Sequence, residues 1–229
     1  MNRIHPSAII GDNVVLGSGN SIGAFVVIAG DTVIGDDNWI GSGAKLGVPA
    51  EMRSVKHDGD WLDQSGPGLA VGNRNVIRED AQVHGGWRQR TVLGNDLFIM
   101  NRSYVAHDCV LADGVTLASG VALGGHVRVG ASANLGLGTT VHQGRTIGGL
   151  AMVGMSSVIT RDIPPFVKAF GSPCRAMGVN TVGLERAGFS IHTIQKIVEL
   201  AESPDFPRSL LSLPDTHIFV QQYLTSVLE

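Results

Sequence analysis

Histidines carry the chemistry that is most visible in this chain of 229 residues. Four of the eight histidines lie between residues 84 and 142, namely His84, His107, His126 and His142. Imidazole groups in such a row could hold a zinc ion, could act as a general base because imidazole titrates near neutral pH, or could bind anionic phosphates. They could also be polar residues tolerated at exposed turns. The choice depends on the elements that position them.

A six-residue repeat of aliphatic side chains defines those elements. It occupies 23 positions, all Ile, Leu or Val, and most are followed directly by Gly or Ala. The positions are Ile4, Ile10, Leu16, Ile22, Ile28, Ile34, Ile40, Leu46, Val71, Ile77, Val83, Leu93, Ile99, Val105, Leu111, Leu117, Leu123, Val129, Leu135, Val141, Ile147, Val153 and Ile159. This hexapeptide repeat predicts an all-β solenoid, a parallel β-helix in which three hexads make one triangular coil and the aliphatic side chains point inward.

The repeat also predicts where the histidines lie. His107 precedes His126 by 19 residues, which is one coil of 18 plus one, and precedes His142 by 35, which is two coils minus one. His84 precedes His107 by 23 residues, or 19 without a four-residue slip in the repeat. All four are therefore expected near one edge of the prism, and none is at an inward position, so we expect them to be exposed or at a subunit interface. A zinc site like that of β-helical carbonic anhydrases would need a second ligand about five residues from His107. None is present, and no metal site is predicted.

Two insertions and one proline pair divide the chain. Residues 47–70 and 84–92 break the repeat and predict projecting loops, which usually mark the functional face of a repeat protein. Trp61 and Trp87 in these loops could contact a ligand or a neighbouring subunit, or could pack the loops themselves. Pro164-Pro165 is predicted to end the repeat.

The predicted domains are therefore a β-helix over residues 1–165 and a linker with a short C-terminal α-helical region over 166–229. One helix is predicted over about residues 191–202, with Ser190 as its N-cap. A second is predicted over about residues 215–228. Its expected apolar stripe is Ile218, Phe219, Tyr223, Leu224 and Val227.

Composition excludes several classes of protein. A net charge of −3 and a pI near 6.2 do not predict binding to nucleic acid or to an anionic membrane. Two cysteines do not make a disulfide framework, and Cys109 falls at a small inward position of its hexad. No apolar run approaches the roughly 18 residues of a membrane span. Because the repeat begins almost at Met1, we expect a cytoplasmic protein without a signal peptide.

Local motifs add specificity to the repeat. The main ones are Val105-Ala106-His107-Asp108-Cys109, Gly124-Gly125-His126-Val127, Val141-His142-Gln143, Gly178-Val179-Asn180 and Gly183-Leu184-Glu185-Arg186-Ala187-Gly188-Phe189-Ser190. Ile77-Arg78-Glu79, Val83-His84 and Asp162-Ile163-Pro164-Pro165 belong to the same set. Together they resemble the UDP-N-acetylglucosamine O-acyltransferases of lipid A biosynthesis, over nearly the whole chain.

This resemblance implies a left-handed parallel β-helix that forms a homotrimer, with active sites between adjacent subunits. It implies transfer of a (3-hydroxy)acyl chain from the phosphopantetheine of acyl carrier protein to a UDP-linked sugar or aminosugar, on oxygen or nitrogen, without a metal or another cofactor. Carried over by position, His107 is the general base, Asp108 orients it, and the Gly125 N–H stabilises the oxyanion of the intermediate.

The remaining positions are carried over as substrate contacts. His126, His142 and Gln143 line the acyl and phosphopantetheine channel. Asn180 and Arg186 hold the nucleotide and its phosphates, as an Arg fork suits phosphate. Glu51 occupies the place of an aspartate that binds sugar hydroxyls. His84 and Tyr104 are also expected to contact substrate, and Tyr104 stands where the family often has a histidine near the catalytic one.

Some positions depart from the family. Tyr104 replaces a histidine, Ala50 replaces a glutamine, and Val182 and Ala187 replace charged residues associated with the nucleotide. These changes are compatible with a divergent paralogue that acts on another acceptor. Met155 stands where a smaller residue would admit longer acyl chains, which predicts a preference for chains of about ten carbons.

Two other functions remain open. An acetyl-CoA-dependent sugar N- or O-acetyltransferase shares the β-helix and often a histidine base, but usually lacks the motifs from Gly178 to Ser190. A non-catalytic β-helical binding protein would use the same repeat without chemistry at His107.

Overall fold

The computed structural model describes residues 1–54, 62 and 66–228. Trp61 and much of the first predicted loop therefore lie outside the described residues. The described chain is a left-handed parallel β-helix followed by short helices, as predicted.

Short strands build three sheets, one on each side of the triangular coil, and successive coils pair in parallel. The first sheet contains Arg3–Ile4, Ser21–Ile22, Trp39–Ile40, Val76–Ile77, Phe98–Ile99, Thr116–Leu117, Asn134–Leu135, Met152–Val153, Val167–Phe170 and Arg175–Val179. The second contains Ile9–Ile10, Val27–Ile28, Lys45–Val48, Gln82–His84, Tyr104–Val105, Ala122–Leu123, Thr140–Val141 and Val158–Ile159. The third contains Val15–Leu16, Thr32–Ile34, Leu69–Val71, Thr91–Leu93, Val110–Leu111, Arg128–Val129 and Thr146–Ile147.

The aliphatic residues of the repeat form the core of the coil. All of them from Ile22 to Ile159 are buried, each stacked between its equivalents in the coils above and below. Ile4, by contrast, is 44% exposed, and Ile10 and Leu16 are only partly buried, because no coil precedes theirs. The apolar column thus exists only through stacking, which is the physical basis of a solenoid.

Strand register shows that both insertions leave the column intact. Arg3 pairs with Ser21, a separation of 18 residues, whereas Lys45 pairs with Gln82 and Gln82 with Tyr104, separations of 37 and 22. The extra 19 and 4 residues therefore leave the coil as loops, and the same faces continue after them.

A buried row of asparagines stabilises the first coils. Asn20, Asn38 and Asn75 are inaccessible to solvent, and each side chain accepts the backbone N–H of the next residue in the row. The last of these N–H groups belongs to Leu97, after which the row is apolar. Because buried backbone groups need partners, the row completes the hydrogen bonding of this corner.

The sheet continues past the predicted end of the β-helix. Val167–Phe170 pairs in parallel with Met152–Val153, and Arg175–Val179 then adds an antiparallel strand. Met152 lies opposite Lys168, only 16 residues later, so Pro164-Pro165 shortens the coil without ending its strand pairing. The predicted boundary between residues 165 and 166 therefore falls inside the sheet.

Three helices follow, α1 at Thr181–Arg186, α2 at Ile191–Leu200 and α3 at His217–Leu228, with 3-10 turns at Arg208–Ser212 and Pro214–Thr216 before α3. Ser190 caps α2 as predicted, its hydroxyl accepting the Thr193 N–H at 3.0 Å. Helix α1 was not predicted, because it has only six residues.

The buried stripe of α3 differs from the predicted one. Ile218 is 62% exposed, whereas Val220 is fully buried beside Phe219 and Tyr223. Val220 and Phe219 pack in a second core with Phe166, Leu184 and Ile197, which attaches the helices to the end of the solenoid. No helix among the described residues is long and apolar enough to cross a membrane.

Candidate functional site

All four predicted histidines lie at the corner where the second sheet turns into the third. This histidine corner comprises residues 84–91, 106–109, 124–127 and 142–145 of successive coils. His84 and His107 are buried, His126 is half-buried and His142 is exposed. His84 and His107 are therefore not exposed in the single chain: His84 bonds the Pro49 carbonyl, and the Trp87 ring packs against His107. The alternative expectation, a subunit interface, stays a prediction.

The centre of the corner is a histidine–aspartate pair. His107 Nδ1 lies 2.7 Å from Asp108 Oδ2, and since a carboxylate only accepts, the ring nitrogen donates. The edge of the Trp87 ring and the His126 ring pack against His107, with centroids 6.1 and 5.1 Å away. The bond through Nδ1 leaves Nε2 of a neutral His107 as a proton acceptor.

Asp108 is fully buried and is held as an anion. Its Oδ1 accepts the backbone N–H groups of Trp87, Arg88 and Gln89 at 3.0, 2.9 and 2.7 Å. Burial alone would raise the pKa of Asp108, but these three N–H groups and the His107 ring outweigh it, and the pKa is lowered. The carboxylate therefore stays charged at neutral pH.

Gly125 lies directly against the His107 ring. A Cβ at this position would stand 2.7 Å from His107 Nε2 and 2.6 Å from Cε1, so only glycine leaves the ring its place. The next residue, His126, has φ +62°, a left-handed conformation that is typical of the third residue of a tight turn. Gly125 is then the second residue of that turn. Among the described residues, the Gly125 N–H has no hydrogen-bond acceptor.

Cys109 follows the pair but is not a nucleophile. Burial raises the pKa of Cys109 to about 12, and its thiol lies 3.3 Å from the Gly124 carbonyl oxygen. A protonated buried thiol is inert, which agrees with the prediction of a small core residue.

A second group, Glu51, His84 and Tyr104, lies at the same corner. The Tyr104 hydroxyl donates to Glu51 Oε2, and His84 Nε2 lies 3.8 Å from Glu51 Oε1. His84 Nδ1 donates to the Pro49 carbonyl at 2.7 Å, which leaves Nε2 buried without a hydrogen-bond partner among the described residues. Burial, and then the hydrogen bond and charge of Glu51, raise the pKa of Tyr104. The group combines an exposed carboxylate with a hydroxyl and an imidazole, which suits hydroxyl recognition.

An open cleft adjoins the histidine–aspartate pair. It is lined by Arg88, Gln89, His126, Arg128, Gln143 and Ser226. His142 stands at its edge, with Nδ1 3.1 Å from the Gln143 carbonyl oxygen. The cleft brings the cationic and polar groups of Arg88, Arg128 and Gln143 close to His126, an arrangement that suits an anionic ligand.

The geometry does not require a metal. One ligand atom each of His107, Asp108 and His126 lies within 4.8 Å of the others, a spacing that could hold an ion. However, both carboxylate oxygens of Asp108 are already engaged, one by three N–H groups and the other by His107. The donor set is better suited to orienting an imidazole than to binding a cation.

Three predicted site residues lie elsewhere in the chain. Met155 is 69% exposed at the corner between the first and second sheets. Arg186 is exposed in a cleft over the first sheet, beside Met152 and Lys168. Asn180 caps α1 by accepting the Gly183 N–H and donates to the Leu150 carbonyl, so its side chain has a structural task. A single chain does not bring these residues to the histidine corner.

The sequence did not identify the residues that hold Asp108. Three of the contacts are made by backbone N–H groups of residues 87–89, and the fourth by the Thr91 hydroxyl. Backbone N–H donors cannot be recognised from the side-chain types of a sequence. The four-residue slip in the repeat predicted the position of the loop but not its hydrogen bonds to Asp108.

Comparison with known proteins gives a consistent result. Residues 162–202 match the family described as Udp N-acetylglucosamine O-acyltransferase, domain 2, and residues 90–125 match the bacterial transferase hexapeptide repeats. The chain is similar to an acyl-[acyl-carrier-protein]–UDP-N-acetylglucosamine O-acyltransferase of Aliivibrio fischeri, 37% identical over 85% of this chain and 80% of the relative. A protein of the same description from Paraburkholderia phymatum is 40% identical over 86% of this chain and 80% of its own.

Solved structures agree. The UDP-N-acetylglucosamine acyltransferase from Campylobacter jejuni superimposes with a TM-score of 0.81 and 27% identity, covering 99% of this chain and 96% of that one. The corresponding protein from Acinetobacter baumannii gives 0.75 and 28%, covering 98% and 95%.

Proposed function

The chain belongs to the acyl-[acyl-carrier-protein]–UDP-N-acetylglucosamine O-acyltransferase family, and we propose that it transfers an acyl chain from acyl carrier protein to a hydroxyl group of UDP-N-acetylglucosamine. The observation that supports the proposal is the buried His107–Asp108 pair beside Gly125, because an imidazole oriented by a carboxylate and a backbone N–H next to each other would suit a general base and an oxyanion donor.

His107 acts as the general base in this proposal. Its Nε2 removes the proton of the acceptor hydroxyl while Nδ1 donates to Asp108, and the sugar oxygen attacks the thioester carbonyl. The Gly125 N–H stabilises the oxyanion of the tetrahedral intermediate. The C–S bond then breaks, and the His107 imidazolium returns its proton to the phosphopantetheine thiolate. A thioester is already activated, so no further cofactor takes part.

The Glu51 group is proposed to bind the sugar. A carboxylate accepts hydrogen bonds from neighbouring hydroxyls, and Tyr104 fixes its direction. The unpartnered His84 Nε2 faces the same place and can accept one more donor. Because Tyr104 is joined to Glu51, an acceptor must either displace this bond or use the second carboxylate oxygen. The sugar is therefore proposed to make different hydrogen bonds with Glu51 than it would in family members that have histidine in place of Tyr104.

The remaining residues are proposed to hold the two long substrates. The phosphopantetheine arm is proposed to lie in the cleft lined by His126 and Gln143, with His142 at its edge. Arg186 would bind the nucleotide phosphates with Asn180. Because Arg186 and Met155 lie away from the histidine corner of their own chain, they are proposed to complete the site of a neighbour in a homotrimer. We propose that the protein acts in the cytoplasm.

The proposal is tested by mass spectrometry of the sugar nucleotide. Purified protein is incubated with UDP-N-acetylglucosamine and either 3-hydroxyacyl carrier protein or acetyl-CoA. Product with the carrier-protein thioester alone is expected. Product with acetyl-CoA alone would instead indicate the acetyltransferase reaction, and no product with any nucleotide sugar would overturn the proposal.

A further inference from the structure

We propose that the loop Gly86–Thr91, here the dyad loop, is the element that positions Asp108, and that Thr91 is a positioning residue of the reaction. The inference rests on the proposed function, since it concerns the base that this function uses. Thr91 does not touch the site where substrate would bind. It acts through Asp108, which orients His107.

The dyad loop holds three of the four polar atoms of Asp108. The Thr91 hydroxyl oxygen accepts the Asp108 N–H at 2.9 Å, and the Gln89 side-chain amide donates to the Asp108 carbonyl at 3.1 Å. Carboxylate Oδ1 accepts the three consecutive backbone N–H groups of residues 87–89. Only Oδ2 is left to face the imidazoles, 2.7 Å from His107 and 3.6 Å from His126.

The loop is itself fixed at both ends. The N–H groups of Gly86 and Thr91 both donate to the Gly68 carbonyl oxygen, at 2.8 and 3.1 Å. Arg90 Nε donates to the Pro67 carbonyl at 2.8 Å. Thr91 also starts a strand of the third sheet and is fully buried. The hydrogen bonds to residues 67 and 68 fix the loop relative to the preceding coil, and the loop in turn fixes the Asp108 carboxylate.

This arrangement has a chemical consequence for His107. With Oδ1 fixed by three donors, the carboxylate cannot rotate, and Oδ2 keeps the proton of His107 on Nδ1. If Asp108 shifted, the ring could carry its proton on Nε2 instead and would then be unable to accept one from the substrate. A short backbone loop therefore selects the reactive tautomer. A purely structural loop would stabilise the fold without affecting this choice.

The test compares Thr91→Val, which removes the acceptor but keeps the shape, with Thr91→Ser, which restores it. Thr32→Val is the matched control, because Thr32 occupies the same row of the third sheet two coils earlier. Its buried hydroxyl bonds the Ala29 carbonyl at 2.6 Å, far from the pair. Each variant is measured for melting temperature, kcat, KM and the pH profile of kcat/KM. The tautomer of His107 is read separately by nitrogen-15 NMR, which needs no substrate.

We expect Thr91→Val to lower kcat by about tenfold or more with little change in KM. The acidic limb of its pH profile should move to lower pH, because an imidazole that is less closely paired with the Asp108 carboxylate is protonated less readily. Its His107 signal should show a larger share of the Nε2–H form. Thr91→Ser should recover most of these properties, and Thr32→Val should change the melting temperature alone.

An unchanged tautomer and pH profile in Thr91→Val would overturn the positioning role, even if the melting temperature falls. That result would leave the proposed function standing as long as the unaltered protein transfers acyl chains. If the unaltered protein transfers none, the proposed function fails, and the NMR measurement still decides whether the loop fixes the tautomer.

Discussion

At the scale of single residues, the activity proposed here depends on a carboxylate that is charged, buried and unable to turn. Asp108 meets these conditions because five groups contact its two oxygens, and four of them are backbone or ring N–H donors at 3.0 Å or less. His107 gains its direction from this anion. Gly125 is needed because it has no side chain: a Cβ at this position would displace the His107 ring.

Asp108→Asn tests the charge of this group. The amide keeps the size but brings an NH₂ group to a site built from donors, so kcat should fall on the order of a hundredfold or more. The protein should also lose a pH-dependent part of its stability. The folded-state pKa of Asp108 is lowered, so its contribution is present above its unfolded-state value, near 3.8, and is lost as the pH falls through the folded-state value.

Melting temperatures between pH 7 and pH 3 measure this contribution. The unaltered protein should lose stability more steeply on acidification than Asp108→Asn. Asp80→Asn is the control, because Asp80 has the same left-handed backbone conformation at another corner but is exposed. Equal slopes for all three proteins would refute the ionised, buried carboxylate.

The sequence allowed the reactive residues to be named but not their burial. The six-residue period placed His84 and His107 at one corner, and the family motifs gave Gly125 and Asp108 roles that remain proposals. The burial of His84 and His107 within one chain could not be predicted, because it depends on residues of the insertion loops, which do not follow the six-residue period. The three N–H donors of residues 87–89 could not be foreseen, since any residue but proline supplies one.

At the scale of elements, the β-helix is stabilised by rows of equivalent side chains that stack from one coil to the next. The aliphatic row could be read directly from the sequence, and so could the cap of α2 at Ser190. The end of the first sheet could not be predicted from the sequence. Pro164-Pro165 ended the repeat but not the hydrogen bonding, because Val167–Phe170 needs only extended backbone to pair with Met152–Val153.

Asn75→Ala tests the buried asparagine row. Asn75 accepts the Leu97 N–H at 2.8 Å and donates to the Gly94 carbonyl at 3.0 Å, so alanine leaves both buried groups without a partner. We expect a loss of about 2 kcal/mol or more in the free energy of unfolding, visible as a lower melting temperature. Asn134→Ala, on an exposed strand position, should change little. Equal melting temperatures for the two variants would show that the row contributes no stability.

At the scale of the whole molecule, the proposed site is divided between separate parts of the chain. His107 lies at one corner, Met155 at another, and Arg186 over the first sheet. If neighbouring subunits bring these parts together, two inactive variants should complement each other. Mixed trimers of His107→Ala and Arg186→Ala, formed by co-expression, should recover about a quarter of the original activity, because random assembly leaves that share of sites intact.

The same division bears on acyl chain length. Met155 is proposed to close the far end of a channel that begins at a neighbour's His107, so Met155→Gly should shift the preference from about ten carbons to longer chains. Each additional buried methylene should change relative kcat/KM by about fourfold, which corresponds to about 0.8 kcal/mol. The control is Leu137→Ala, at the same corner one coil earlier. An unchanged chain-length profile in Met155→Gly would exclude Met155 as the stop.

The central claim is that His107 removes the proton of a sugar hydroxyl. It is tested most directly by a single-turnover reaction of 3-hydroxyacyl carrier protein with UDP-N-acetylglucosamine, followed by mass spectrometry, for the unaltered protein and for His107→Ala. The account predicts an acylated sugar nucleotide from the unaltered protein and at least a hundredfold slower formation, to an order of magnitude, from the variant. Product formation at the same rate by a folded His107→Ala protein would contradict it.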